Sequence, residues 1–402
     1  MNHADTNAAR KTAVGARRLI IRAVGGAFAG LVVGLAVLAI LPKHGTPVKE
    51  ERCVARSDAS GAFKAIVMHY SPKRWGKDGE SGNENKYYVS DCYRDFLRQI
   101  SPDVIVYVPC ASSKDFDDFM GYIKEWGVAS PERFKPVVMD KVISTWSRDR
   151  YTLAISDSGE SVLMVPPKTK TDQEERFNDW FAPLRIADCA PHCSVRQLEM
   201  FFDGGNLINS DDYLFVDYNL VAKNVGVKFT NVDALLEYLK KQFGKEVILL
   251  GRENGDVPEH HIGMYLTPLA GKTVLVGDAR LGRRIAEENA LTIENADYGE
   301  GMAARFDYAA EELTRRGFNV VRVPIVPIEG GGAYVTYNNL MLETRDGKTI
   351  AYMPAYNLPA LDNAATQILA SQGIEVRTVD ASKVYRMNGS LRCLVNVISR
   401  AK

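Results

Sequence analysis

The chain has 402 residues, and its 50 Lys and Arg side chains balance 50 Asp and Glu side chains, so its formal net charge is zero. A neutral chain with 46% apolar residues is typical of globular proteins and carries no bulk charge for nucleic acid. The length allows one large domain or two to three ordinary ones.

The N-terminal region has the pattern of a membrane-targeting segment. Residues 1–22 form a basic tail, and residues 23–41 are nineteen consecutive residues without a charge. At about 1.5 Å per residue, such a helix nearly spans a hydrocarbon layer of roughly 30 Å. We expect an uncleaved single-pass anchor here, with a cleaved secretory signal as the alternative.

The basic tail precedes the apolar segment, so the positive-inside rule places the tail in the cytoplasm and exports the rest of the chain. Residues 42–61 are expected to be a polar tether and residues 62–402 the folded domain, which would be secreted if the signal were cleaved. Gly26, Gly30 and Gly34 have the four-residue spacing that lets helices approach closely in lipid. A homodimer formed through the membrane helices is therefore one hypothesis.

Six cysteines in an exported domain suggest disulfides. The close pair Cys189 and Cys193 could form a short-loop disulfide, and with His192 between them it could instead bind zinc. No second ligand pair stands at zinc-finger spacing, so the sequence favours no structural metal.

A unit recurs along the folded region after an initial strand at residues 65–70: amphipathic helix, glycine, apolar strand, polar loop, strand, turn and strand. Glycine is the residue expected in the left-handed conformation after a helix. The four regular copies have helices at residues 116–126, 235–243, 309–316 and 364–372, followed by Gly127, Gly244, Gly317 and Gly373. Alternation of helix and strand periods predicts a mixed α/β fold.

Each regular copy places a polar residue 17 to 22 positions after its glycine, where a strand is predicted to open: Asp149, His261, Asn339 and Cys393. A fifth, less regular copy within residues 180–216 contributes Asp203. If five such units close in a ring, these residues converge on its axis. Four of these residues also have a structural alternative: Cys393 as a small buried hydrophobe, Asp149 paired with Arg148 or Arg150, Asp203 as a turn residue, and His261 as a loop histidine beside His260.

Four short motifs occur in a fixed order: Trp146-x-Arg148-Asp149, Asp203-Gly204-Gly205-Asn206, Tyr337-x-Asn339 and Gly389-x-x-x-Cys393. With these motifs, the chain from residue 62 to its C-terminus resembles the guanidino-group-modifying superfamily, and within it the agmatine deiminases and bacterial peptidylarginine deiminases. The resemblance implies a pentein fold, an α/β propeller of five ββαβ-type blades.

The resemblance also implies roles for the motif residues. Cys393 matches the nucleophile, His261 the general acid/base, and Asp203 the acidic residue that supports this histidine. Asp149 matches the carboxylate that holds the guanidinium. The expected substrate-binding set is Asp149, Asn206, Asn339, Arg148 and Arg392, with Asn338 as the alternative register for Asn339.

Three positions depart from the family pattern. The usual His-x-Asp is His261-Ile262-Gly263 here, so one of two guanidinium-binding carboxylates is missing. Arg150-Tyr151 replaces the usual Gly-Pro, and Arg392 stands where many relatives have histidine. Dimethylargininases also lack the aspartate, so Gly263 does not exclude activity.

The chemistry implied is hydrolysis of a guanidino group. Cys393 would attack the guanidinium carbon, and His261 would protonate the departing amine and then activate water. No metal or organic cofactor is required. The substrate could be a small guanidino compound such as arginine or agmatine, or an arginine-containing peptide. The alternatives are amidinotransfer, a dimethylargininase-like reaction, and a catalytically weak pentein that serves as a binding module.

Overall fold

The computed structural model describes residues 51–75, 88–169, 171 and 173–401, and within them the strands form five sheets. The strands are β1 (Cys53–Ala55), β2 (Phe63–Met68), β3 (Ile105–Cys110), β4 (Phe134–Val138), β5 (Thr152–Ser156), β6 (Ser161–Val165), β7 (Cys193–Gln197), β8 (Ile208–Asn209), β9 (Tyr213–Asp217), β10 (Glu246–Leu250), β11 (Leu266–Pro268), β12 (Thr273–Asp278), β13 (Asn319–Pro327), β14 (Tyr334–Thr336), β15 (Met341–Arg345), β16 (Lys348–Ala355), β17 (Glu375–Asp380) and β18 (Val395–Arg400).

Helices connect these strands. They are α1 (Ser90–Gln99), α2 (Ser113–Glu125), α3 (Glu174–Asn178), α4 (Ala182–Cys189), α5 (Tyr218–Asn224), α6 (Val232–Phe243), α7 (Ala279–Glu288), α8 (Glu300–Arg315), α9 (Pro359–Ser371) and α10 (Leu391–Leu394). Short 3₁₀ turns occur at several loop positions, including Gly204–Asn206 and Ile262–Met264.

One pairing pattern repeats in all five sheets. A first strand pairs antiparallel with a second, and the second pairs parallel with a third. The five units are β18-β2-β3, β5-β6-β7, β8-β9-β10, β11-β12-β13 and β15-β16-β17. In each unit one or two helices lie between the second and third strands, because parallel neighbours need a long crossover. The predicted α/β repeat is therefore present five times, and β18 joins the C-terminal strand to the first unit.

Helix α6 shows why these segments fold as helices. Leu235, Leu239 and Phe243 are spaced four apart and are buried on one face against β1 and β10. Asn231 accepts a hydrogen bond from the main-chain N–H of Ala234 at 2.9 Å and caps the N-terminus. The four predicted glycine caps all have left-handed φ angles: Gly127 (64°), Gly244 (64°), Gly317 (81°) and Gly373 (74°).

Two predicted strand starts are helical turns instead. His261 precedes the 3₁₀ turn Ile262–Met264, and the strand β11 begins only at Leu266. Cys393 lies inside α10, and the terminal strand begins at Val395. Every residue of both turns is buried, so the apolar run that suggested a strand is explained by burial alone. Short apolar runs do not distinguish the two conformations.

The folded region begins before residue 62. Strand β1 pairs antiparallel with β5, and Asp58 belongs to an ion-pair cluster with Arg148 and Arg392, so the second half of the predicted tether is part of the domain. The predicted anchor at residues 23–41 and the basic tail lie outside the described residues. Among the helices the structure does describe, none combines the length and apolarity needed to cross a membrane.

All six cysteines lie within the described residues and none forms a disulfide, so the possible disulfide between Cys189 and Cys193 is absent. Cys189 is the exposed last residue of helix α4, whereas Cys193 is the first residue of strand β7. The two side chains are therefore positioned by different elements. Within the described ranges, no three His, Cys, Asp or Glu side chains come together as a metal site.

Candidate active site

One pocket of about 420 Å³ brings together four residues predicted from separate repeats: Asp149, Asp203, His261 and Cys393. They lie in loops or turns between the strands of different sheets. The other lining residues are Trp146, Gln173, Arg176, Asn219, Ala222, Lys223, His260, Met387 and Asn388. The predicted convergence of the repeated polar positions is therefore observed for four of the five residues.

Cys393 lies in the short helix α10, which begins directly after Gly389 and Ser390. Its main-chain N–H donates to the carbonyl of Ser390 at 3.0 Å, and its side chain is 5% exposed. A Cβ at Gly389 would lie 2.5 Å from the Trp146 ring and 3.2 Å from the Cys393 Cβ. Glycine at this position lets the indole lie directly against the thiol-bearing turn, which gives the Gly-x-x-x-Cys motif a physical reason.

Asn339 supports this turn from behind and does not line the pocket. Its Nδ2 donates to the carbonyl of Gly263 at 3.0 Å, and its Oδ1 accepts from the main-chain N–H of Arg392 at 3.0 Å. The same Oδ1 lies 3.6 Å from Cys393 Sγ. Asn339 therefore links the histidine turn to the cysteine turn. The alternative register, Asn338, instead faces the carbonyl of Leu275 in β12.

His261 carries a proton at neutral pH. Burial alone would lower its pKa, but hydrogen bonds with Asp203 and Cys393, and the charges of Asp149 and Asp203, raise that pKa to about 10. The neighbouring ring of His260 stacks on it, with centroids 4.0 Å apart. Burial and the charge of His261 lower the pKa of His260 to about 4. At neutral pH only His261 of the stacked pair is therefore protonated.

Asp203 pairs with His261 across 3.5 Å, from its Oδ2 to the ring Nε2. The carboxylate also accepts from Lys223 Nζ at 2.8 Å, and Arg150 lies 3.9 Å away. Burial opposes its charged form, but the hydrogen bonds from His261 and Lys223 outweigh that effect and hold the pKa of Asp203 well below its ordinary value. The pair is thus an aspartate–histidinium ion pair.

Gly205 explains the Asp-Gly-Gly-Asn motif. A Cβ at this position would lie 2.6 Å from Nδ1 of His261 and 2.8 Å from its Cγ, so the imidazole packs directly on the glycine backbone. Asn206 closes the turn, because its Oδ1 accepts from the main-chain N–H of Asp203 at 3.0 Å and from Lys223 Nζ at 2.9 Å. Asn206 is fully buried and orients Asp203; it does not line the pocket.

Asp149 is already paired within the chain. Its Oδ2 accepts from Nη2 of Arg176 at 2.6 Å, and this arginine lies on the short helix α3. Burial opposes the charge of Arg176, but Asp149 and Asp179 raise its pKa. The carboxylate that the sequence assigns to a substrate guanidinium therefore holds a guanidinium of the protein itself.

Arg148 and Arg392 are not brought into the pocket, contrary to their predicted substrate-binding role. Both side chains point to the carboxylate of Asp58, whose side chain is 13% exposed, at 3.3 Å and 2.8 Å. Arg148 also donates to the carbonyls of Gly204 and Leu207. Arg148 and Arg392 therefore link the loops that carry Asp149 and Cys393 through Asp58, outside the pocket.

Sequence reasoning missed Arg176, Lys223 and His260 as pocket residues. Lys223 lies four residues after Asn219 on α5, so both face the pocket from one side of that helix. Neither Lys223 nor Arg176 stands at the repeated spacing after a glycine cap. The adjacency of His260 to His261 was visible, but the stacking geometry was not.

Gly263, where the resemblance led us to expect aspartate, is closely packed. A Cβ there would lie 3.0 Å from Cδ1 of Ile208 and 3.4 Å from the carbonyl oxygen of Gly205. A larger residue would require the end of the Ile208 side chain to shift by a few tenths of an ångström. Gly263 itself does not line the pocket.

Solved structures with a similar fold include agmatine deiminases. That of C. jejuni aligns at 16% identity and a TM-score of 0.62, covering 89% of this chain and 100% of that chain. A variant of that enzyme with substrate bound aligns at 16% identity over the same shares, with a TM-score of 0.63. The agmatine deiminase of Enterococcus faecalis aligns at 13% identity, covering 87% and 96%, with a TM-score of 0.62. No protein-family model and no curated protein matches the chain.

The repeated three-strand unit and these similarities define an α/β protein of the pentein type. The chain therefore shares its α/β pentein-like fold with these deiminase structures, as the order of its four motifs predicted.

Proposed function

We propose that this chain is a hydrolase of guanidino compounds that forms a covalent amidino intermediate on Cys393. The observation that carries the proposal is that Cys393, protonated His261 and Asp203 line one pocket, with Asp203 in an ion pair with His261 at 3.5 Å and Asp149 on the pocket wall. A nucleophile beside an acid/base that a third group orients is the arrangement that covalent catalysis needs.

The reaction divides into two halves. The thiolate of Cys393 forms a bond to the guanidinium carbon, a C–N bond breaks, and the departing nitrogen leaves as ammonia or an amine with the proton of His261. Neutral His261 then takes a proton from water, whose oxygen attacks the same carbon. The C–S bond breaks, the remaining hydroxyl proton passes to the released ammonia or amine, and a ureido product leaves the regenerated thiolate and imidazolium.

The high pKa of His261 suits the first half of this reaction. At neutral pH the imidazolium holds the proton that the leaving nitrogen needs. Asp203 keeps the ring oriented through both halves, since it pairs with Nε2.

We also propose, from the motif order and the five repeated units, that the sheets surround this pocket as the blades of a propeller. The N-terminal segment at residues 23–41 is proposed to anchor the domain on the exported side of a membrane. Fractionation of cells expressing the full chain tests the anchor: recovery in the membrane fraction supports it, and recovery in the supernatant of unlysed cells supports a cleaved signal.

The test of the proposed activity is incubation of the purified protein with arginine, agmatine, dimethylarginine and an arginine peptide. Mass spectrometry should find a ureido product from at least one of them. Cys393→Ser should abolish the product, whereas Cys189→Ser, which changes an exposed cysteine outside the pocket, should not. Absence of product from every substrate would reject the proposed activity.

A second candidate function, a binding module, rests on a specific observation. Both carboxylates of the pocket are paired with cations of the chain, Asp149 with Arg176 and Asp203 with Lys223. A module of this kind would bind a guanidino ligand equally well with cysteine or serine at position 393 and would form no product. Titration calorimetry on the two proteins separates it from the hydrolase.

A further inference from the structure

Arg176 forms an ion pair with Asp149, the carboxylate that the proposed function assigns to the substrate guanidinium. Its Nη2 lies 2.6 Å from Oδ2 of Asp149, and its side chain is 22% exposed on the pocket wall. Asp203 is engaged as well, by Lys223 at 2.8 Å. An incoming guanidinium therefore has to displace a cation of the protein before it can bind Asp149.

Arg176 also contacts a second carboxylate, that of Asp179, which can retain the side chain when it leaves Asp149. Its Nη1 lies 3.5 Å from Oδ2 of Asp179 and 3.4 Å from Oγ of Ser144. Asp179 is fully buried and also accepts from the main-chain N–H of Ser144 at 2.8 Å. A buried charge without a partner is costly. Because the Asp179 contact persists, release from Asp149 does not leave Arg176 unpaired.

The space beside Arg176 is positively charged. A second cavity of about 300 Å³ shares Trp146, Gln173 and Arg176 with the pocket and is also lined by Arg74 and Arg386. The acidic residue on its wall, Glu175, is already bound by Lys73 at 2.6 Å, and Arg386 pairs with Glu294 at 2.9 Å, so Arg74 and Arg176 supply the positive charge of this wall. A substrate that extends from the pocket along this wall meets cations, so a second positive charge on the substrate is unfavourable and a negative charge is favourable.

We propose that Arg176 exchanges partners when substrate binds: the substrate guanidinium takes its place on Asp149, and the freed end of Arg176 binds a carboxylate of the same substrate. This inference rests on the proposed function and names its substrate class as guanidino acids, in preference to dicationic guanidino amines. The exchange replaces one internal ion pair by two and leaves no charge unpaired. A guanidino amine would leave Arg176 facing a second cation.

Three ligands with the same four-carbon chain on the guanidino group test the exchange: the chain bears a terminal carboxylate in 5-guanidinopentanoate, a terminal ammonium in agmatine, and no charged group in butylguanidine. Binding is measured by calorimetry in the Cys393→Ser protein, so that turnover does not enter. The carboxylate ligand should bind about tenfold more tightly than butylguanidine, and agmatine about tenfold more weakly.

Arg176→Gln should abolish the preference for the carboxylate and at the same time tighten the binding of butylguanidine, because Asp149 is no longer occupied. A merely structural loss would weaken all three ligands. Arg176→Lys keeps a cation at this position and guards against a variant that fails to fold; it should retain the order of affinities. Arg185→Gln, an exposed arginine on the neighbouring helix α4, is the matched control and should change nothing.

The outcomes separate the two proposals. Binding of agmatine as tight as that of the carboxylate ligand, or equal weakening of all ligands by Arg176→Gln, would overturn the exchange and leave the proposed hydrolase standing. Failure of all three ligands to bind, together with absence of product from any substrate, would overturn both.

Discussion

Replacing Asp203 by asparagine tests the electrostatics of the candidate site at its centre. The pKa of His261 is about 10 against an ordinary value of 6.5. That difference corresponds to roughly 5 kcal/mol in favour of the protonated ring, shared among Asp203, Cys393 and Asp149. Asparagine keeps the shape of the side chain but removes the charge at 3.5 Å from Nε2. We expect the pKa of His261 to fall by about 2 units.

The assay is an NMR titration of the histidine ring signals, with the His261 signal assigned through a His261→Asn protein. Asp212→Asn, which changes an exposed carboxylate at the start of β9, is the control and should leave the titration unchanged. An unchanged titration of His261 in the Asp203→Asn protein would refute the ion pair.

The same shift has a consequence for stability against pH. Because the pKa of His261 is raised on folding, its stabilising contribution is complete below about pH 6.5 and is lost as the pH rises through about 10. Urea unfolding across this range should therefore show a decline in the free energy of unfolding that is smaller in the Asp203→Asn protein. An equal decline in both proteins would contradict the assignment.

Two further predictions concern the supports of the site. Gly205→Ala places a Cβ 2.6 Å from Nδ1 of His261 and should lower kcat about a hundredfold with the fold retained by circular dichroism; unchanged kcat would contradict the close packing. Asp58→Asn leaves Arg148 and Arg392 buried without their carboxylate and should cost about 3–5 kcal/mol in urea unfolding. Burial opposes the charge of Asp58, but these arginines hold its pKa low, so its contribution should be present at neutral pH and disappear as the pH falls below about 4. A cost below about 1 kcal/mol would show that the cluster is not needed for stability.

The repeated spacing explains why four pocket residues could be found from sequence. Asp149, His261 and Cys393 each follow a left-handed glycine by a similar number of residues, and Asp203 stands in the motif of the irregular copy. A chain that repeats one supersecondary unit repeats its loop positions in space as well. The position of a residue in the unit therefore predicted which loop it occupies.

Side-chain direction and long-range partners could not be predicted in this way. Arg148 is one residue before Asp149, yet its side chain points to Asp58. Asp58 was predicted to lie in a tether because the sequence around it is polar. Arg176 reaches Asp149 from a short helix 27 residues later, which no local pattern announces. Ion pairs between distant segments depend on the assembled fold.

The helical turns at Cys393 and His261 mark a second limit. Each was expected to open a strand because a run of buried apolar residues follows it. Burial on all sides removes the periodicity that separates strand from turn. The catalytic candidates nevertheless keep their place, since a turn before a strand presents its side chains at the same end of the sheet.

The most direct test of the central claim is to trap the intermediate. The protein is mixed with a substrate that it turns over, quenched in acid within the first turnover, and digested, and the peptide that contains Cys393 is weighed. The account predicts an amidino group on Cys393 that appears and decays with turnover and is absent from the Cys393→Ser protein. Turnover without any adduct, or turnover that survives the serine substitution, would contradict a cysteine-linked mechanism.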